Sequence, residues 1–198
     1  FGLKTAFEHI AVPLEVLIPT LLAMVVGSVS FWGSNIAFAK LQELIPSRPL
    51  AVPGQQVINA VLLIAIVAAC INLAINNDGP SQALFIGVLI AAGILGNLAV
   101  LPIGGADMPV VISLLNAFTG LSAAAAGIAL DNTALIVAGT LVGSSGTILT
   151  MEMATAMNRS IPNILFAGFG SPVTSGSGTQ EERPYRSMTA QDAAIGFA

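Results

Sequence analysis

The sequence predicts an all-α integral membrane fold: a bundle of five transmembrane helices followed by a flexible linker. Three observations lead there. Only 8% of the residues are charged against 55% hydrophobic, the mean hydropathy is +0.89, and five apolar stretches are each long enough to cross a bilayer. A water-facing domain carries about 25% charged residues, so most of this surface must face something other than water. A spanning helix needs roughly 20 apolar residues, because the hydrocarbon core is about 30 Å thick and each residue rises about 1.5 Å.

The first stretch runs from Val16 to Ala39, with no charge between Glu15 and Lys40. The second covers about Val57 to Ile75, between Arg48 and Asp78. Asn77-Asp78-Gly79-Pro80 is a turn signal, and the third stretch follows it from about Ala83 to Leu101, ending near Pro102. The fourth spans about Met108 to Leu130. Asp131-Asn132 turns tightly into the fifth, about Thr133 to Met157, which carries one acid, Glu152. These runs are too long for buried strands, and their Gly/Ala content suits helices packed in a membrane. From Gly168 to Gly178 the sequence reads GFGSPVTSGSG, a flexible linker, after which Thr189 has the character of a helix N-cap. The expected organisation is an outer segment over 1–15, a transmembrane domain over 16–167, and over 168–198 a linker with the start of a soluble domain. Phe1 is preceded by no initiator Met and no charged n-region, so the chain reads as one piece of a longer or processed polypeptide without a signal peptide.

Charge sets the orientation. Lys40, Arg48, Arg159, Arg183 and Arg186 fall on one side of the bundle and only Lys4 on the other, so five of the six basic residues share a side. By the positive-inside rule that side is cytoplasmic, with the carboxyl end on it. A net charge of −4 with no basic stripe predicts no nucleic-acid partner. Cys70 is the one cysteine and His9 the one histidine, too few for a Cys- or His-based metal site, and Cys70 reads as a small packed hydrophobe.

Inside a membrane, polar side chains are expensive and therefore informative. In the fourth stretch Ser113, Asn116 and Gly120 follow one another at steps of three and four, with Ala123, Ala124 and Gly127 below them. In the fifth, Gly139, Gly143 and Gly146 form a groove, while Thr140, Ser144 and Thr147 supply hydroxyls. Such faces serve either close helix packing with bonds across it or a hydrated pathway. An asparagine amide does not titrate, so Asn116 can orient water but cannot store a proton. Glu15 suits the first turn of a helix as a dipole-stabilising acid, and Glu152 approaches the inner interface. Asp107, in Gly104-Gly105-Ala106-Asp107-Met108-Pro109, has two readings: an N-cap before Pro109, or a charge that engages a domain beyond the membrane. Val142-Gly143-Ser144-Ser145-Gly146 lacks the Gly-Lys-Ser/Thr ending of a phosphate loop.

At these residues the chain resembles the beta subunit of proton-translocating NAD(P) transhydrogenase. The likeness is carried by IGGADMPVV at 103–111, Leu115-Asn116, the alanine run to Gly127, LIVAGTLVGSSG at 135–146, AMNRS at 156–160 and GFG at 168–170. It covers about Ser28 to Gly170, with AFAKL at 37–41 and Arg48-Pro49 similar in character. The resemblance implies a machine in which one soluble domain, on an alpha subunit, binds NAD(H) and another binds NADP(H). The membrane domain conducts protons while hydride passes between the nicotinamides. This chain would supply the last five membrane helices, alongside the remaining ones, in a bacterial inner membrane and in a homodimer of the whole assembly. Asn116, Ser144 and Ser145 would line the proton pathway. Asp107 and Arg159 would couple it to the NADP(H) domain, and Gly139, Gly143 and Gly146 would serve packing and conformational change. Two features depart from the family pattern. The family's intramembrane histidine belongs to an earlier helix, to which His9 does not correspond, and Thr155 stands where the family carries a lysine.

The alternative from another class is a fragment of a secondary transporter, binding a small solute on the polar face of the fourth and fifth helices. No cofactor is expected within this chain, because it offers no strand–glycine loop–helix unit to cradle a pyrophosphate. Calorimetric titration of the detergent-purified chain with NADPH should therefore give no saturable heat; a stoichiometric isotherm would sink that expectation.

Overall fold

The computed structural model describes residues 13–50, 54–75, 82–162 and 164. Five helices in it are long and apolar enough to cross a membrane. We number them α1 (Leu14–Leu41), α2 (Gln55–Ile75), α3 (Gln82–Val100), α4 (Met108–Ala129) and α5 (Thr133–Ala156). Each end falls within two residues of the sequence expectation, because charges and turn residues stop the apolar runs where the helices stop. Lys4, His9, Arg183, Arg186, the Asn77–Pro80 turn, the Gly168–Gly178 linker and the cap at Thr189 lie outside the described residues.

Local chemistry explains the ends. Glu15 stands in the first turn of α1, as its charge predicts. Pro19 interrupts the α1 ladder, and one turn of that segment is tied back by Thr20 Oγ1 donating to Val16 O at 2.7 Å. Asn132 caps α5, its side chain accepting from Leu135 N at 3.1 Å. Three helices finish alike. Glu43, Asp131 and Asn158 have φ of 57°, 49° and 52°, and the next amides, of Leu44, Asn132 and Arg159, reach back to Ala39 O, Gly127 O and Ala154 O. That is the Schellman arrangement, which satisfies otherwise orphaned carbonyls at a helix end.

The helices pack in the order α5–α4–α1–α3–α2, so that α4 lies between α5 and α1, and α5 has α4 as its main neighbour. Hydroxyls bond across several of these contacts. Ser30 Oγ, buried, bonds Leu115 O at 2.7 Å and Thr119 Oγ1 at 2.6 Å across α1 and α4. Ser122 Oγ donates to Ala23 O at 2.8 Å, and Ser28 Oγ to Leu89 O at 2.9 Å between α1 and α3. The α1–α3 crossing is also close because Gly96 has no side chain: a Cβ there would stand 2.5 Å from Val29 O.

The α4–α5 seam is built from small residues, as expected, but the polar face divides. Gly120, Ala124, Gly139 and Gly146 are buried. Thr140, Ser144 and Thr147 are exposed and bond to carbonyls of their own helix, so of the two readings of these hydroxyls, the one in which they bond across the seam does not hold. With 100° per residue, a glycine column at steps of three and four fills the contact and turns the hydroxyl column outward. The hydroxyls that do join the seam are Ser113 and Thr150: Thr150 Oγ1 donates to Ser113 Oγ at 3.0 Å, and Ser113 Oγ to Gly146 O at 3.4 Å.

The three seam glycines of α5 are not equivalent. A Cβ on Gly139 would stand 2.8 Å from both Ala124 Cα and Gly120 O, and one on Gly146 3.0 Å from Ala117 Cα. One on Gly143 meets nothing nearer than 3.4 Å. Gly139→Ala should therefore lower the melting temperature of the purified chain, at a cost of about 1–3 kcal/mol for overpacking against backbone. Gly143→Ala should melt within error of the parent; equal losses in the two variants would contradict this geometry.

Candidate functional site

The charged side chains that were scattered in sequence converge at one end of the bundle. Lys40 and Glu43 come from the end of α1, Arg48 from the α1–α2 connection, Asp107 from the α3–α4 loop and Arg159 from beyond α5. Together they line an open cleft of about 760 Å³ with Pro102 and the Gly104–Ala106 backbone.

Asp107 has two sequence readings, and the geometry bears on the capping one. Asp107 occupies the N-cap position of α4, yet its side chain makes no capping hydrogen bond. The reason is local. Gly105–Asp107 form a 3₁₀ turn, leaving Asp107 at φ −91° and ψ −3°, whereas a capping side chain normally hangs from an extended residue. The carboxylate turns instead to Arg159, with Oδ1 and Nε 3.1 Å apart. The contact is an ion pair rather than an aligned hydrogen bond, since Oδ1 has no partner of hydrogen-bond geometry. The side chains of Arg159 and Asp107 are 44% and 21% exposed, with Oδ1 itself buried, and a pair whose cation stands this open to solvent contributes only about 0–1 kcal/mol to stability. Holding the fold together is not what this pair is suited to.

Arg159 is delivered by the end of α5. Asn158, in the left-handed region, closes the Schellman turn with Asn158 N donating to Thr155 O at 3.0 Å and Arg159 N to Ala154 O at 2.9 Å. Asparagine adopts that conformation at low cost. Asp107 is delivered by the loop: Gly105 N donates to Ser47 O at 2.9 Å, and a Cβ on Gly105 would stand 3.1 Å from Ser47 Cβ. The glycine lets the two connections lie against each other.

The other singled-out residues are placed as follows. Ser144 lines a cleft beside the seam, with Thr140, Thr147, Leu114, Phe118 and Leu121. Asn116 and Ser145 are exposed and are not among the residues lining that cleft. Ser144 and Ser145 bond to carbonyls within α5, an arrangement that hides a hydroxyl's donor even in apolar surroundings. Asn116, with two donors and an acceptor on its amide, needs polar company more than either. Glu152 is exposed, and Thr155 Oγ1 donates to Met151 O at 2.9 Å.

Sequence reasoning missed three residues here. Lys40 reads as a solvated charge at a helix end, yet it is 1% exposed. Thr150, also buried, lies one step of four beyond Gly146, a spacing that places it on the seam. Asn158, just after the last helical turn, is the residue after glycine most favoured to end a helix.

All regular structure among the described residues is helical, so they contain no strand–glycine loop–helix unit of the kind that cradles a pyrophosphate. The same residues include no cluster of three or more His, Cys, Asp or Glu side chains able to hold a metal ion.

Comparison with known proteins then bears on the charged end. The family model for the NAD(P) transhydrogenase beta subunit matches residues 3–198. A protein named NAD(P) transhydrogenase subunit beta from Rhodospirillum rubrum is 45% identical over 181 residues, covering 90% of this chain and 38% of the relative. A second sequence of that name, from a designated strain of the same species, matches to the same extent. The chain thus spans a little over a third of the length of these relatives.

Proposed function

The chain belongs to the NAD(P) transhydrogenase beta subunit family, and from that premise we propose that it is the proton-translocating membrane domain of such an enzyme. In this proposal it couples transmembrane proton movement to hydride transfer between NAD(H) and NADP(H), each bound on a separate soluble domain. Residues 16–167 form its transmembrane part, and 168–198 lead toward the NADP(H)-binding domain. Its partners are that domain, an NAD(H)-binding alpha subunit and the remaining transmembrane helices, in a dimer of the whole assembly. The charged end faces the cytoplasm of a bacterial inner membrane, which the clustering of Lys40, Arg48 and Arg159 at one end supports.

The observation that carries the proposal is the Asp107–Arg159 pair. It joins the mouth of α4 to the end of α5, on the end of the bundle where an NADP(H)-binding domain would approach. An exposed pair is cheap to break and remake, and coupling between sites typically amounts to about 1–3 kcal/mol. The two scales match. Occupancy changes in the soluble domain can therefore open or close the pair without endangering the fold, and shift α5 against α4 as they do so. Asn116, exposed on α4, is the side chain best suited to hold water along the pathway. A solute-binding transporter is less well supported, since the family that the chain matches is that of a transhydrogenase subunit.

Two sets of variants of the full enzyme test this. Asp107→Asn and Asp107→Ala should both slow coupled hydride transfer and alter NADPH release by about tenfold, the effect of roughly 1.4 kcal/mol, while melting within about 1 kcal/mol of the parent. An active Asn variant beside a dead Ala variant would return Asp107 to helix capping. Asn116→Leu should slow proton pumping in vesicles and coupled hydride transfer together, with the assembly intact; normal pumping would remove Asn116 from the pathway.

A further inference from the structure

Lys40 is the least expected side chain in the bundle. It is a cation at the end of a spanning helix, where solvent is near, and yet it is 1% exposed. Its ammonium carries three donors and no acceptor. Nζ donates to Leu101 O and, at 2.8 Å, to Ile103 O, both just past the end of α3. Carbonyls there lack intrahelical donors and lie at the negative end of the helix dipole. A buried charge needs such partners, and the only ion pair among the described residues is Arg159–Asp107.

The bonds around Lys40 form a closed circuit between two connections. Ser47 Oγ donates to Lys40 O at 3.2 Å, Gly105 N to Ser47 O at 2.9 Å, and Leu50 N to Leu101 O at 3.3 Å. Leu101, Ile103 and Gly105 all precede Asp107 by six residues or fewer. From this geometry we infer that Lys40 is a positioning residue for the Asp107–Arg159 pair: its ammonium clamps the α3–α4 loop onto the end of α1 and so fixes where the Asp107 carboxylate stands. Lys40 is not among the residues bonded to either member of the pair. Its effect passes through the Leu101 and Ile103 carbonyls: without the ammonium, Ile103 O loses the donor that Lys40 gives it and Leu101 O keeps only the longer bond from Leu50 N. The inference deepens the coupling proposal and rests on it for its consequence in catalysis, but its geometric content can be read separately.

The test uses the full enzyme in vesicles, with Lys40→Met, Lys40→Gln and Asp107→Asn. An arginine-selective dicarbonyl, phenylglyoxal, reports the pair without reference to activity, through peptide mass analysis of Arg159 modification. Asp107→Asn breaks the pair and sets the upper rate, about threefold above the parent on the scale of an exposed ion pair. Lys40→Met should approach that rate. Lys40→Gln, which keeps an amide donor, should fall between it and the parent, and serves as the comparison if Lys40→Met fails to assemble. Coupled hydride transfer should drop about tenfold in Lys40→Met, the loss of one charge-assisted hydrogen bond, and Lys40→Met/Asp107→Asn should be no slower than Asp107→Asn alone. Parent-like Arg159 reactivity in both Lys40 variants would overturn the inference, as would losses that multiply in the double variant. An Asp107→Asn enzyme that reacts faster at Arg159 but transfers hydride normally would instead overturn the coupling proposal and leave the clamp in place.

Discussion

At Gly120 and Gly139 the backbones of α4 and α5 lie directly against each other, and the charged end of the chain depends on that contact. The seam continues through Ala124 and Gly146 and closes at the buried Ser113–Thr150 hydroxyl pair. Because α5 packs chiefly against α4 among the described residues, the seam sets its height and direction relative to α4. Those two quantities decide whether the residue after the last turn of α5 can reach the residue before the first turn of α4. In a bilayer, helix association draws little from burying apolar surface, since lipid is equally apolar, and relies on close packing with some hydrogen bonding. Small residues are the means by which this chain obtains that packing.

The helices were legible because the membrane imposes a simple rule. Charge-free runs of sufficient length become helices, and Glu15, Lys40, Asp131 and Arg159 bound them from outside. The glycine column of α5 was legible for the same reason, as periodicity alone places Gly139, Gly143 and Gly146 on one side. What periodicity does not give is rank within that column: the Gly143 backbone touches Gly120, but a side chain on Gly143 would find more room than one on Gly139 or Gly146, and only the geometry shows it. Nor does it show which way a neighbouring column looks: Thr140, Ser144 and Thr147 bond within their own helix, beside the seam rather than across it.

The candidate site was legible residue by residue and illegible as a set. Asp107 and Arg159 were each singled out, but 52 positions separate them, and no local pattern says that they meet. Their meeting needs the left-handed turn at Asn158, the 3₁₀ turn at Gly105–Asp107 and the Ser47–Gly105 contact, each a tertiary or near-tertiary event. Lys40 illustrates the limit most clearly. In sequence it is a positive charge ending a hydrophobic run, indistinguishable from one that snorkels to water. The carbonyls that hold it lie some sixty residues further on.

The Schellman turn at Asn158 has a mechanical meaning. It ties Arg159 rigidly to the last turn of α5, so the guanidinium's root moves with that helix as the end of a crank moves with its shaft. A side chain about 5–6 Å from the axis travels about 2 Å when the helix rolls by about 20°. Such a roll would part a 3.1 Å ion pair, while the side-chain-poor surface of the α4–α5 seam presents few ridges to obstruct it. Angular motion deep in the membrane is thereby turned into a gain or loss of one electrostatic contact at its edge.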